Sequence, residues 1–346
     1  MKKLAVSLAS VLIGTVSGFL LLSNLIPNED DIFAGEPAQS VYLSNSINGI
    51  YYEVYIDDVL SRNFDDFEEA LYYAKSQERA AIFQNSSRTW VWDNYPLFSV
   101  VLDGRFVEFE RFYQATAYAR EHENAFVIHR PNQAVAWSNS SNLESAVRLD
   151  VPVILQNPAL PRGCEVTSLA MLLNHAGINV DKMTLAHQVR KNPIEREVIN
   201  GVIHGGHPNY GFVGDMFNSG PHGLGVFHAP IFELAQKYLP DSAIDLTGSN
   251  FEDLLFFLNR GIPVWVITNA TFDALRASDF DTWVTPQGEI QITYWLHAVV
   301  ISGYDENYIY FSDPLLDQRV GRTHAPREAF IAAWEQMGRQ AITYAF

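Results

Sequence analysis

Leu160-Pro161-Arg162-Gly163-Cys164-Glu165-Val166-Thr167-Ser168 runs directly into Leu169-Ala170-Met171-Leu172-Leu173-Asn174-His175-Ala176-Gly177. Val166, Leu169, Ala170, Leu173 and Ala176 recur at i, i+3, i+4, i+7 and i+10, the spacing of one helix face. Gly177 is placed to end that helix. Cys164, the only cysteine in 346 residues, therefore stands at a helix N-terminus. Unpaired backbone N–H groups and the helix dipole favour an anionic thiolate there. A thiolate is the nucleophile that cysteine hydrolases use. The competing role for a lone cysteine is that of a small buried hydrophobe. One cysteine permits no intramolecular disulfide, so burial must hold the fold together.

A thiolate nucleophile needs a base to take and return its proton, and a third group to orient that base. His297 opens the apolar run His297-Ala298-Val299-Val300-Ile301-Ser302-Gly303-Tyr304-Asp305. Asp313 closes the next one, Tyr308-Ile309-Tyr310-Phe311-Ser312-Asp313-Pro314. A hairpin turning at Asp305-Glu306-Asn307 brings His297 and Asp313 to the same end, within hydrogen-bonding reach. Alone, the histidine reads as a satisfied strand-edge residue and Asp313-Pro314 as a turn. Together with the cysteine, in this order, they form a candidate triad.

Around these residues the pattern from about 147 to 346 is helices first and strands later. Gly261-Ile262-Pro263-Val264-Trp265-Val266-Ile267 reads as a strand entered through a turn, and Gln291–Trp295, His297–Ser302 and Tyr308–Ser312 as later strands. Helices in one half and an antiparallel sheet in the other predict an α+β domain.

Upstream lies an internal repeat. Asp58, Phe64, Phe67, Ala70, Tyr73, Ala74, Glu78, Ala80, Trp92 and Asn94 recur 45 positions later as Asp103, Phe109, Phe112, Ala115, Tyr118, Ala119, Glu123, Ala125, Trp137 and Asn139. These identities read as a duplicated module over 49–140, with copies at about 50–94 and 95–139. Each copy reads strand, helix, strand, strand, with helices at about 65–76 and 108–122. Neither copy buries much alone, so the two are expected to pack together as one small α+β domain. They contain no cluster of chemically active side chains. Trp90, Trp92 and Trp137 suit either sheet packing or a sugar- or peptide-binding surface, so the module reads as a binding or spacer element. Cell-wall components are its candidate ligand.

Met1-Lys2-Lys3 precedes an uncharged, mostly apolar stretch from Leu4 to Ile26, closed by Asn28-Glu29-Asp30-Asp31. That stretch exceeds the roughly 7–15 apolar residues of a secretory signal and is long enough to span a bilayer as a helix. Residues 1–26 are expected to be a signal-anchor with the N-terminus cytoplasmic, or a cleaved signal peptide. Either way the body is exported, as a single-pass membrane protein or a secreted one, and 27–48 reads as a tether. The formal charge of −17 argues against nucleic acid as a partner. His204, His207, His222 and His228 lie in a glycine-rich stretch, but their spacing matches no zinc motif. A loop beside the substrate groove is the preferred reading, and no metal or cofactor is expected. Asp279, Asp281 and Glu289 read as solvated surface.

Residues from about 150 to 346 resemble the papain-like cysteine peptidases related to the double-glycine leader peptidases, in particular the extracellular C-39-like branch of Gram-positive bacteria. The matching pieces are Gln156, Leu160-Pro161-Arg162-Gly163-Cys164-Glu165, Val180-Asp181-Lys182, Gly211-Phe212-Val213-Gly214, Gly261-Ile262-Pro263-Val264, His297-Ala298-Val299-Val300, Gly303-Tyr304-Asp305 and Asp313-Pro314. The resemblance implies a papain-like fold, with a helical half carrying the nucleophile and an antiparallel sheet half. It implies Cys164 as nucleophile, His297 as general acid/base and Asp313 as its orienting group. Gln156 would act with the Cys164 N–H as oxyanion-hole donor. Cys164 and His297 would then rest as an ion pair. Gln156 precedes the cysteine by eight residues, a longer spacing than papain-like enzymes commonly use. The expected activity is hydrolysis of a peptide or protein substrate. Two alternatives share the chain: a peptidoglycan amidase or endopeptidase of the same fold, and a non-catalytic surface binding protein.

Overall fold

The computed structural model describes residues 51–139, 142–218, 223–316 and 322–346. The expected N-terminal segment and tether lie outside them. Contacts divide the chain into two compact units. The first holds the described residues up to Leu97 with Asp103–Phe106, and the second holds Phe98–Leu102 with Val107–Phe346.

In the first unit, β1 (Tyr52–Ile56), β2 (Val59–Phe64), β3 (Ala80–Gln84) and β4 (Thr89–Asp93) form a sheet in the order β2-β1-β3-β4, with α1 (Phe67–Lys75) packed on it. Asp57 and Asp58 take φ of 47° and 64°, the two left-handed residues that a type I′ hairpin turn needs. Asp66 caps α1 by accepting the Glu69 N–H at 3.0 Å. Val54, Ala70, Ala74, Ala80 and Ile82 make a small core.

The second unit begins with the same pattern. Its elements are β5 (Phe98–Leu102), β6 (Arg105–Phe109, whose Arg105 and Phe106 are grouped with the first unit), α2 (Phe112–Arg120), β7 (Phe126–His129) and β8 (Ala134–Ser138), with sheet order β6-β5-β7-β8. Fine details recur at the 45-residue shift. The ladder breaks between Ile82 and Phe83 and again between Val127 and Ile128. Positive φ falls on Arg79 and Asn124, and on Arg88 and Gln133. The backbone N–H groups of Asn94 and Asn139 donate to Ala80 O and Ala125 O. Their side-chain amides reach back to Gln77 O and His122 O.

Two expectations are corrected here. Each copy is strand-strand-helix-strand-strand; β2 and β6 were not anticipated, and residues 108–109 belong to β6 rather than to a helix. The cause is exposure: β2 is solvent-facing along nearly all its length, so it lacks the apolar alternation that marks a strand. The repeat is not uniform either, because β1 and β5 start 46 residues apart whereas α1 and α2 start 45 apart. A bulge in β2 opposite Val54 and Tyr55 absorbs the difference.

The chain continues through β9 (Val147–Arg148), α3 (Cys164–His175), α4 (Lys182–Gln188), β10 (Lys191–Asn192), β11 (Glu197–Ile199), β12 (Val202–His204) and β13 (Phe212–Val213). Then come α5 (His228–Tyr238), β14 (Ala243–Asp245), α6 (Phe251–Leu258), β15 (Val264–Asn269), β16 (Asp281–Thr285) and β17 (Gly288–Ile292). β18 (Leu296–Tyr304), β19 (Tyr308–Ser312), β20 (Arg322–Pro326), α7 (Arg327–Gln336) and β21 (Ala341–Tyr344) complete it. The main sheet runs β14-β21-β15-β18-β19-β20, with β9 added on β18. All its pairings are antiparallel, as an α+β domain requires. A smaller sheet, β11-β12-β16-β17, includes one parallel pair, β12 with β16.

Strands β10 to β13 precede α5, and α7 lies between β20 and β21, so helices and strands are less segregated than expected. The anticipated strand Gln291–Trp295 stops at Ile292, where the Thr293 hydroxyl turns the chain by accepting the Trp295 N–H. Helix α3 is not amphipathic. All ten residues from Cys164 to Leu173 are buried, the pattern of a helix covered on every side. Burying each large side chain in it contributes about 1.5–3 kcal/mol. Gly177 ends α3 with φ of 85°, and the Ile178 N–H donates to Leu173 O.

Helix α2 packs against α6. The Phe112 and Phe257 rings lie 5.8 Å apart, and Arg120 forms an ion pair with Asp253, which also accepts from Thr116 Oγ1 at 3.3 Å. Asp253 belongs to the capping box of α6, so one buried carboxylate serves both helices.

Candidate functional site

The nucleophile candidate sits where α3 meets β18. Cys164 is the first residue of α3, and no side chain caps that helix. Its sulfur accepts the backbone N–H of Ala298. One turn along, Ser168 Oγ donates to Ala298 O at 2.9 Å. Two side chains on one face of α3 thus engage the N–H and the C=O of Ala298 on β18, the residue immediately after His297. Trp265 Nε1 on β15 donates to Glu165 O at 3.0 Å and fixes the helix start from the next strand.

His297 lies second in β18, paired with Thr268 of β15, and is buried. Asp313 follows β19 directly, at the same end of the β18–β19 hairpin. His297 Nε2 and Asp313 Oδ1 are 2.8 Å apart, so the hairpin reading of this pair holds. The same carboxylate oxygen accepts the Leu315 N–H at 2.8 Å. With Nε2 committed to Asp313, Nδ1 is the remaining nitrogen for chemistry. The Phe272 ring lies 6.0 Å from the imidazole and takes φ of 54°, a strained backbone beside the site.

Gln156 reaches the same region by another route. Its N–H donates to Pro314 O at 2.8 Å, directly after Asp313. Its side-chain Nε2 donates to Pro161 O at 2.9 Å, and Oε1 is buried without a partner. Lys182, from the Val180-Asp181-Lys182 segment, donates to Gln156 O at 2.8 Å and holds this loop to α4. One amide hydrogen of Gln156 is therefore already engaged.

Sequence reasoning missed Glu165. Its carboxyl is buried beside the thiol: Cys164 Sγ donates to Oε2 at 3.4 Å, and Oε1 accepts the Val226 N–H at 2.9 Å. Gly225 takes φ of 146°, and a side chain there would strike Glu165 Oε1 and Leu296, so only glycine lets this loop close over the acid. Burial is the main force raising the Glu165 carboxyl above its ordinary value, with the Val226 N–H and His297 opposing it. Burial likewise pushes the Cys164 thiol well up, assisted by Glu165; the Ala298 N–H acts the other way. Burial thus acts against the lowering expected from the helix terminus. Loss of hydration and the adjacent acid oppose the thiolate here. The unbroken run Leu169–Leu173 was the available signal. A helix apolar on every side leaves its first-turn acid no solvent face.

The described histidines of the glycine-rich stretch serve separate ends. His207 Nδ1 accepts the Asn209 N–H, and His228 Nδ1 lies 3.2 Å from Asp245; His222 lies outside the described residues. Among those residues no His/Cys/Asp/Glu group is placed to hold a metal ion, and no helix is long and apolar enough to cross a membrane.

An antiparallel sheet carrying a buried His–Asp pair, with a cysteine-headed helix laid on the histidine strand, defines the class. Residues 148–342 match the Peptidase_C39 like family, and the chain belongs to that family. It is 48% identical over 204 residues to YvpB of Bacillus subtilis (strain 168), a protein itself uncharacterized. That match takes in 57% of this chain and 76% of YvpB. The chain is also similar to the crystal structure of a candidate C39-like peptidase from Bacillus anthracis, at 48% identity and a TM-score of 0.55. This likeness covers 59% of this chain and 98% of that one.

Proposed function

We propose that this chain is an exported cysteine peptidase of papain-like fold, tethered by its N-terminal segment or released from it, which hydrolyses peptide bonds through Cys164, His297 and Asp313. The observation that carries the reading is the buried 2.8 Å pair between His297 Nε2 and Asp313, next to the Ala298 N–H that faces the Cys164 sulfur. His297 Nδ1 takes the thiol proton as sulfur adds to the scissile carbonyl carbon. The carbon–nitrogen bond then breaks, and the same proton passes to the leaving amine, leaving a thioester. Water resolves the thioester, giving its proton to His297, and collapse of the adduct returns the thiol. Asp313 holds the ring orientation and balances the imidazolium. The free amide hydrogen of Gln156 and the Cys164 N–H would stabilise the oxyanion, an effect of about 100-fold or more for one donor. The paired details at the 45-residue shift support reading the two sheet-and-helix copies as a duplicated binding or spacer module.

Cys164→Ala is expected to abolish cleavage of a peptide library by the purified protein while circular dichroism and thermal unfolding stay unchanged. Cleavage at the wild-type rate in that variant would sink the reading.

A further inference from the structure

The carboxyl of Glu165 has no part in the proton transfers above, yet it touches the sulfur that must ionise. It is fixed on three sides. Oε1 holds the Val226 N–H, the main-chain oxygen holds Trp265, and Gly225 closes over the carboxylate. The remaining oxygen, Oε2, faces Cys164 Sγ at 3.4 Å. The charged and titratable groups that act on this place come from several elements. They are Cys164 on α3, His297 on β18 and Lys191 on β10, with Asp313 after β19 acting on the thiol. Lys191 is itself brought down to about 8 by burial. In this setting the 3.4 Å contact can work in two directions. An ionised Glu165 accepts the S–H and opposes a second negative charge beside it. A protonated Glu165 donates its O–H to sulfur and supports the thiolate.

We propose that Glu165 is a positioning residue for the nucleophile: ionised, it holds Cys164 as the thiol, and protonated, it turns the same contact into a donor to the thiolate. This rests on Cys164 being the nucleophile. Formation of the reactive sulfur is thereby tied to the charge on a neighbouring acid. No bond to carbon is made or broken by Glu165; its proton only moves between its own oxygen and the hydrogen bond to sulfur.

The chain has one cysteine, so iodoacetamide alkylation of purified full-length protein reports Cys164 alone. Glu165→Gln keeps an acceptor for Val226 and presents a permanent N–H to sulfur. The alkylation profile of this variant is expected to move to lower pH, with a neutral-pH rate about tenfold above wild type, the equivalent of one pKa unit. An unchanged profile in a folded Glu165→Gln protein overturns the proposal. Should that variant not fold, Glu165→Met, uncharged and of similar length, must shift the profile in the same direction. Wild type supplies a test without any variant, since its thiol must titrate above free cysteine. A wild-type value at or below free cysteine overturns the proposal too. Alkylation needs no substrate, so a failure of the peptidase reading shows in hydrolysis and a failure of this one in the profile.

Discussion

The two sheet-and-helix copies share strand order, bulge position and helix-closing asparagines, yet their helices live in different surroundings. In α1 the start is capped by Asp66 and Tyr72 is 83% exposed. In α2 no side chain caps the start, and Phe112, 1% exposed, packs between Phe98 and Phe257. Where α1 has Leu71 and Lys75, α2 has Thr116 and Arg120, both bonded to Asp253 of α6. One scaffold thus serves two purposes. A self-sufficient helix is stabilised by its own termini, whereas a docked one relies on a partner face. The two helices differ at positions on one side, while their sheets keep the same strand order.

The sharpest way to break this contrast is to remove the equivalent aromatic from each copy. Phe112→Ala empties a fully packed site and is expected to cost about 3–5 kcal/mol. Phe67→Ala, at a partly buried position, should cost about 1–2 kcal/mol. Denaturant unfolding combined with hydrogen exchange on α1, α2 and α6 separates the two. Equal losses would show that docking on α6 adds nothing to α2.

The second test concerns charge. Arg120→Ala leaves the buried Asp253 carboxylate without its cation. Such losses run to about 3–5 kcal/mol, and partial exposure of the guanidinium brings the expectation to about 2–3 kcal/mol. Lys75→Ala, its counterpart, should fall within about 0.5 kcal/mol of wild type. The deficit at Arg120 should depend on pH. Burial, outweighing Arg120, holds the Asp253 carboxyl above its ordinary value, and loss of the cation raises it further. A carboxyl raised in the folded state gives its full stability below the unfolded value and loses it as pH rises through the folded one. The Arg120→Ala deficit should therefore shrink as pH falls toward the carboxylate range. A deficit independent of pH would assign Arg120 a packing role instead.

Much of this architecture was legible in the chain itself, and the exceptions have physical reasons. β19 was readable to the residue because its β-branched and aromatic run is bounded by the Asp305-Glu306-Asn307 turn and by Asp313-Pro314, and its hairpin with β18 predicted the His297–Asp313 pair. β2 escaped because an edge strand exposed along nearly all its length carries no apolar period, and β6 because its half-buried residues show no clear alternation. The docking of α2 was hidden because Thr116 and Arg120 look like ordinary solvent-facing residues until Asp253, more than 130 positions later, arrives beside them. In the sequence Glu165 looks like an ordinary first-turn acid. A carboxylate next to a helix N-terminus ordinarily faces solvent and favours the dipole. Here burial of α3 from Cys164 to Leu173 turns this acid onto the thiol, and that placement depends on tertiary cover from Val226 and Gly225, which no local window contains.

The smallest expected effect lies at the helix starts and tests whether termini and partner faces are interchangeable. Asp66→Ala removes the acceptor for the Glu69 N–H and should cost α1 about 1 kcal/mol, close to a fivefold loss of hydrogen-exchange protection in its first turn. At the matching position, Arg111 caps nothing and lies 3.6 Å from Asp245 while largely exposed. Arg111→Ala should cost α2 about 0–1 kcal/mol and leave its first-turn exchange nearly unchanged, because packing on α6 holds that turn closed. If α2 opened as readily as α1 after these changes, α6 would not be holding the helix start. The division of labour between capped and docked copies would then apply only to the helix middles.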